Sequence, residues 1–436
     1  MVLRATTCLR RLGGDRRGER QAGQFFANRK VTAAAIIDSW HQPSVEAVAG
    51  RHVLALQDTT ALSFATGGDA QSARGGAARR GLGPLNQGNA HGLLAHVMLA
   101  VDADSGDCLG LLGGTVWNRP GLVSTAEHKR PLSERESRRW VETAEQARPR
   151  LDQAAQVTVV HDREGDLYPL WARVPRQGMH LLSRVMLDRR LSGGGLLFDA
   201  AACFALADRR QLELRAQPPQ RPQARTATLE LRFGAVTIAR PVNEKDRSLA
   251  AAVPLTLVEV REVDPPAAAE PIHWRLLTTH AVADLAQAWR IVGWYQARWT
   301  IEQLFRILKS QGLRLEDSQM STAARLGKLA AAAVKAACLT LQLVQARDGA
   351  QNRPATQVFS PAEVETIEAL SPTLQGRVQR QRNPHPPRSL AHASWVIARL
   401  GSWHGYDKPP GPITMHRGLE RFFAIHQGRM LATGAK

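Results

Sequence analysis

The sequence predicts a mixed α/β (α+β) chain: a mixed-sheet core with an inserted β-rich subdomain and helical segments at both ends. Three observations predict it. In the first half, short apolar runs such as RHVLALQ at 51–57 and VTVV at 157–160 alternate with helical stretches. From 187 to about 270 the texture changes to alternating stretches such as ATLELRFGAVTIAR. Beyond the strand expected at 272–279, the chain reads as helix to about Asp348.

Composition narrows the class. The 436 residues allow two or three domains, or one large domain with an insertion, and 44% hydrophobic residues suffice for a sizeable core. Lys and Arg outnumber Asp and Glu by 57 to 39, a net charge of +18 spread over the chain, which points to a polyanionic partner, nucleic acid before membrane. No stretch reaches the ~18 uninterrupted apolar residues of a membrane span. The nearest, 329–344, is Ala-rich, broken by Lys335, Thr340 and Gln342, and reads as a packed core helix. Cys8, Cys108, Cys203 and Cys338 are far apart and suggest neither a disulfide framework nor a zinc site. MVLRATTCLRRLGG lacks the apolar core of a signal peptide. The expectation is a soluble, cytoplasmic protein.

In order, residues 1–50 are a basic helical region, with a helix at 31–41. A strand at 51–57 ends at Asp58, and the Gly, Ala and Arg-rich 66–89 reads as a long loop. Residues 91–101 and 108–117 pair as strands about a turn at Asp104–Gly106. A charged helix (132–151), a buried strand (157–160) running into His161-Asp162, a helix (165–173) and a strand (180–185) follow. The insertion includes the Pro/Arg-rich QPPQRPQART, and residues 346–389 read as a linker to a last helical region, 390–436.

The candidate site begins in WYQARWTIEQLFRILKSQG, within a helix expected over 281–311. At about 100° per residue, with Tyr295 at 0°, Arg298 falls near 300°, Glu302 near 340°, Arg306 near 20° and Lys309 near 320°. These five share one face, while Trp294, Ile301, Leu304, Phe305 and Leu308 form a separate apolar stripe. On this helix alone the face could equally be a solvated row of ion pairs. Two strand ends each deliver an aspartate, Asp58 and Asp162, and either alone could be a turn former or helix cap. Taken together, strand-Asp, strands and a helix, strand-Asp, then helix-Glu is the order of an RNase H-like core. Three carboxylates suit Mg²⁺, with Mn²⁺ able to substitute, better than zinc. Two such ions roughly 3.5–4 Å apart would serve an in-line phosphoryl displacement.

At these residues the sequence resembles the DDE transposases of the insertion-sequence-four family. The Y-(2)-R-(3)-E-(6)-K signature is matched by Tyr295, Arg298, Glu302 and Lys309, the first acidic segment by QDTTALSF at Asp58, and the second by DREGD at Asp162. The resemblance implies cut-and-paste chemistry: hydrolysis at a transposon end, a hairpin made by the freed 3′-OH, its reopening, and joining to target DNA. It implies catalysis and metal binding by Asp58, Asp162 and Glu302. It also implies DNA contacts by Tyr295, Arg298, Arg306, Lys309, Arg184 and Trp274, the last stacking on a flipped base. Only 57 residues precede Asp58, so residues 1–50 are expected to be a truncated remnant of the family's helical end-reading domain. SWVIARLGSW…PPGPITMHRGLERF resembles the dimerisation region. Trp395, Ile397, Leu400, Trp403, Leu419, Phe422 and Phe423 are expected to bury a patch against a twin in the paired-end complex, or else to cap the core. Two other readings stay open: a decayed, inhibitory DNA-binding relative, and a structure-selective nuclease that cuts without joining.

Overall fold

The computed structural model describes residues 7–64, 81–85, 90–121, 130–214, 224–267, 269–406 and 408–433. The loop expected over 66–89 lies largely outside the described residues, as does most of QPPQRPQART.

Short helices come first: α1 (Leu9–Gly13), α2 (Arg16–Ala27), α3 (Ala33–Asp38) and α4 (Gln42–Ala47). Then follow β1 (His52–Ser63), β2 (Gly83–Pro84), β3 (His91–Asp102), β4 (Cys108–Trp117), α5 (Arg138–Ala147), β5 (Gln156–His161), α6 (Tyr168–Arg173) and β6 (Met179–Arg184). The middle holds α7 (Leu197–Cys203), β7 (Asp208–Leu214), β8 (Arg225–Ala239), β9 (Ala252–Val263) and β10 (His273–Thr278). The rest is helical: α8 (Leu285–Ala297), α9 (Trp299–Lys309), α10 (Ala323–Ala346), α11 (Pro361–Leu370), α12 (Leu390–Leu400) and α13 (Pro412–Thr433).

The strands form one mixed sheet in the order β2-β3-β1-β5-β6-β10-β9-β8-β7, with β4 also on β3. β4, β3 and β1 run antiparallel in sequence, and β1, β5 and β6 are mutually parallel, which is the RNase H-like arrangement of three antiparallel strands followed by two parallel ones. The β-rich stretch expected as an inserted subdomain instead lengthens this sheet: β10 pairs antiparallel with β6, and β9, β8 and β7 follow. That addition covers the open edge β6 would otherwise present. β1 also runs five residues beyond Asp58, because β3 pairs with it as far as Ser63.

Side chains alternate across the sheet. Leu54, Leu56, Val160, Leu182 and Leu276 pack with α8, α9 and α10 on one face, whereas Val53, Ala55, Val159, Leu181 and Leu277 pack with α5, α6 and α7 on the other. The α10 helix is long and apolar enough to cross a membrane, but most of it is buried, against β4, α9, α3 and α12. Thr322 caps its start by accepting from Arg325 N, an arrangement worth about 1 kcal/mol.

A third apolar cluster joins the end of α10 to α11, α12 and α13. The segment read as a linker therefore contains a helix, started by Ser360, Pro361 and a reciprocal Ser360–Glu363 capping box. The expected dimer patch is corrected by the same cluster. Trp395, Ile397, Leu400, Leu419, Phe422 and Phe423 are buried within their own chain, and Trp403 packs at the margin. Residues on both α12 and α13 face inward, because the two helices pack together over Phe359 and Leu343.

Candidate active site

Strand parity gathers the site. Asp58 has the parity of Leu54 and Leu56 on β1, Asp162 that of Val160 just past β5, Arg184 that of Leu182 on β6, and Trp274 that of Leu276 on β10. All four belong to the face that α8 and α9 cover, and those helices bring Tyr295, Arg298 and Glu302. Residues more than 200 positions apart are thereby juxtaposed.

Arg298 is the cation at the centre. Its Nη1 donates to Asp58 Oδ2 at 3.0 Å and its Nη2 to Glu302 Oε1 at 2.8 Å. Asp58 also accepts from Thr59 N at 2.7 Å. Burial, and then the neighbouring charge of Asp162, push the Asp58 carboxyl up from 3.8 to about 7, against the pull of Arg298. Burial opposes the charge on Arg298, but Tyr295, Asp58 and Glu302 outweigh it and hold its pKa above the ordinary value. The Asp162 carboxylate caps the turn 163–165, accepting from Glu164 N at 2.9 Å.

The single helix expected over 281–311 is broken at Arg298, where the backbone bonds Arg298 N to Tyr295 O and Ile301 N to Arg298 O span three residues rather than four. Angles counted through a tightened turn do not carry over, so the five-residue face divides. Arg298 and Glu302 meet Asp58. Tyr295 is buried, stands edge-on to Trp274 at 5.4 Å between ring centroids, and lies beside Arg184. Burial pushes its hydroxyl pKa up, which keeps it a hydrogen-bond donor. Arg184 also donates to His273 O at 3.0 Å. Lys309, its pKa lowered by burial, lies near Glu316. Arg306 stays outside, its guanidinium 5.8 Å from the centre of the exposed Trp299 ring.

A cleft of about 920 Å³ adjoins these groups. Thr59 and Glu164, close in sequence to Asp58 and Asp162, line it together with Lys309, Arg119 and Arg139; Asp58, Asp162 and Glu302 are not among its lining residues. The sequence reading did not single out Arg139. Its Nε donates to Thr59 Oγ1 at 3.0 Å and its Nη2 to Glu164 at 2.9 Å. The Thr59 hydroxyl then donates to His96 Nδ1 at 2.9 Å, and His96 Nε2–H to Gln57 Oε1 at 2.9 Å. Burial keeps His96 neutral, and the one-way donation by Arg139 fixes its tautomer. No signal on α5 could have found Arg139, since its partners are 80 and 25 residues away.

Among the described residues, no group of three or more His, Cys, Asp or Glu side chains forms a ready metal cage. The donor types nevertheless suit a hard divalent cation: three carboxylates from β1, the end of β5 and α9, two of which are held here by Arg298.

The chain has a structural likeness to a piggyBac transposase in a cryo-EM structure of its synaptic complex with hairpin DNA. Identity is 10% and the TM-score 0.38, with 89% of this chain and 56% of that one covered, so this chain spans little more than half of that protein and the likeness is too slight to bear on function. Residues 120–340, just over half of the chain, match the family model of the transposase DDE domain; they include Asp162, Glu302 and the whole signature, while Asp58 precedes them. The chain belongs to the transposase DDE domain family.

Proposed function

We propose that this protein moves DNA by cut-and-paste transposition, with Asp58, Asp162 and Glu302 as the catalytic, metal-holding carboxylates. The observation that carries the reading is the convergence of Asp58 and Glu302 on Arg298, with Asp162 near enough to raise the Asp58 pKa. Divalent ions bound there, Mg²⁺ or Mn²⁺, would polarise the phosphoryl oxygens and activate the attacking hydroxyl. Hydrolysis breaks one P–O bond at the element's end and leaves a 3′-OH. The 3′-OH attacks the opposite strand, forming one P–O bond and breaking one; hydrolysis of the resulting hairpin regenerates it, and its attack on target DNA again forms one and breaks one, so no nucleotide triphosphate is consumed.

The chain's own groups position the substrate. Tyr295 offers a protonated phenol and Arg184 a guanidinium, each able to donate to a phosphate oxygen. Trp274 offers a partly exposed ring beside Tyr295 for a displaced base. Lys309 and Arg306 lie further along α9, toward its end, as phosphate contacts. The protein would act in the cytoplasm as a homodimer across two transposon ends. Since the α12 and α13 core residues are already covered, pairing would use exposed groups of α13 such as Ile413, Ile425 and Leu431.

Incubating the full chain with Mg²⁺ and a plasmid carrying the sequences that flank its own gene tests the reading. Excised and rejoined DNA is expected from the parent, and none from Asp58→Ala, Asp162→Ala or Glu302→Ala. Cutting without joining would favour a nuclease; binding without cutting would favour an inert relative.

A further inference from the structure

Two large apolar side chains stand in water where hydrogen bonds hold the backbone. Met186 is 61% exposed and Leu187 52%. Scattered exposed hydrophobes are ordinary, but these are adjacent and anchored. Both backbone N–H groups donate to Asp166 Oδ2, at 2.9 and 3.1 Å. Asp166 Oδ1 is gripped by Arg189 through Nε and Nη2, at 3.0 and 2.7 Å, and this ion pair is almost wholly buried. On either side, Val185 N donates to Arg275 O and Leu197 N to Arg189 O. A buried ion pair is weak evidence of stability, but this one fixes the carboxylate that accepts from both Met186 N and Leu187 N. Here it holds two apolar side chains outward.

Their setting identifies the partner. Leu187 lines the larger cleft, where Arg119 and Arg139 are paired with Glu136 and Glu164. Met186 lines a separate pocket of about 460 Å³ with Arg163, Arg184 and Arg275. The pair therefore forms a ridge between two cavities, the smaller of which is rimmed mainly by cations. A phosphate suits that smaller rim, and the apolar face of a base suits the ridge. Apolar side chains that part a base step, with cations on the flanking phosphates, are an established way to hold distorted DNA.

We infer that Met186 and Leu187 form a wedge that enters an unpaired or unstacked step of DNA spanning the two pockets. This rests on the reading of the protein as one that works on DNA. The wedge adds contact with bases and displaces no counterions, so it should favour distorted DNA without altering salt dependence.

The test measures binding of the full-length protein, without divalent metal, to two fluorescein-labelled duplexes, one fully paired and one with a single central unpaired base. The parent is expected to prefer the second. Met186→Ser combined with Leu187→Ser, changes at exposed sites, should weaken binding to the bulged duplex by roughly tenfold, the order for losing one buried aliphatic contact. Binding to the paired duplex and the slope of log affinity against log salt should hardly move. Met186→Leu with Leu187→Met should keep the preference. A serine variant with intact preference, equal loss on both duplexes, or a parent with no preference overturns the wedge while leaving the DNA reading standing. A parent with no salt-dependent affinity for either duplex overturns both.

Discussion

Replacing Asp58 by Asn should make the protein more stable and catalytically dead. In the fold the carboxyl keeps its proton up to about pH 7, whereas in the unfolded chain it releases it near 3.8. Between those values the folded state binds more protons, so this group's contribution to stability falls as pH rises from about 4 to about 7 and is level above that. A rise of that size corresponds to roughly 4 kcal/mol at most. That rise is already net of the attraction of Arg298, and Asn, like the protonated acid, still offers Arg298 a carbonyl oxygen. The gain at pH 8 is then at most a few kcal/mol, on the order of the rise itself. Thermal melting of parent and Asp58→Asn in EDTA across this range checks it. The advantage of the variant should be absent or reversed near pH 4.5, grow to about pH 7 and then stay constant. A difference that does not change with pH would refute the account of Asp58.

Arg189→Leu should cost about 3–5 kcal/mol by stranding the buried Asp166 carboxylate, read as a large drop in melting temperature. Lys309→Ala should reduce the salt slope of DNA binding by about one, while an unchanged slope would place Lys309 off the DNA path. Deleting residues 390–436 should give insoluble protein, because it bares Leu343, Phe359, Val364 and Ile367; a soluble, monomeric remainder would contradict the packing described.

Much of the site was legible in the sequence because strands report their own faces. Asp58 and Asp162 each follow an apolar run, and an alternating strand fixes the side on which its last residue lies. Element order then placed Glu302. The helical wheel failed at one joint, where the turn at Arg298 tightens and Tyr295 rotates into the core while Arg306 stays outside. Patterning also showed that Phe422 and Phe423 seek cover without showing whose. Tertiary packing supplied it from the same chain. The insertion was legible as β-rich, but its continuity with the catalytic sheet depends on the β6–β10 pairing, which no local pattern encodes. Arg139 and the Asp166–Arg189 clamp are long-range contacts between residue types common on any surface.

The central claim is that Asp58, Asp162 and Glu302 make one cation site. Titrating Mn²⁺ into the metal-free protein and following the signal of the unbound ion by electron paramagnetic resonance tests it without knowledge of the transposon ends. The parent should take up Mn²⁺, and Asp58→Asn, Asp162→Asn and Glu302→Gln should each weaken that uptake at least tenfold. Uptake by any of the three equal to the parent's would contradict the shared site.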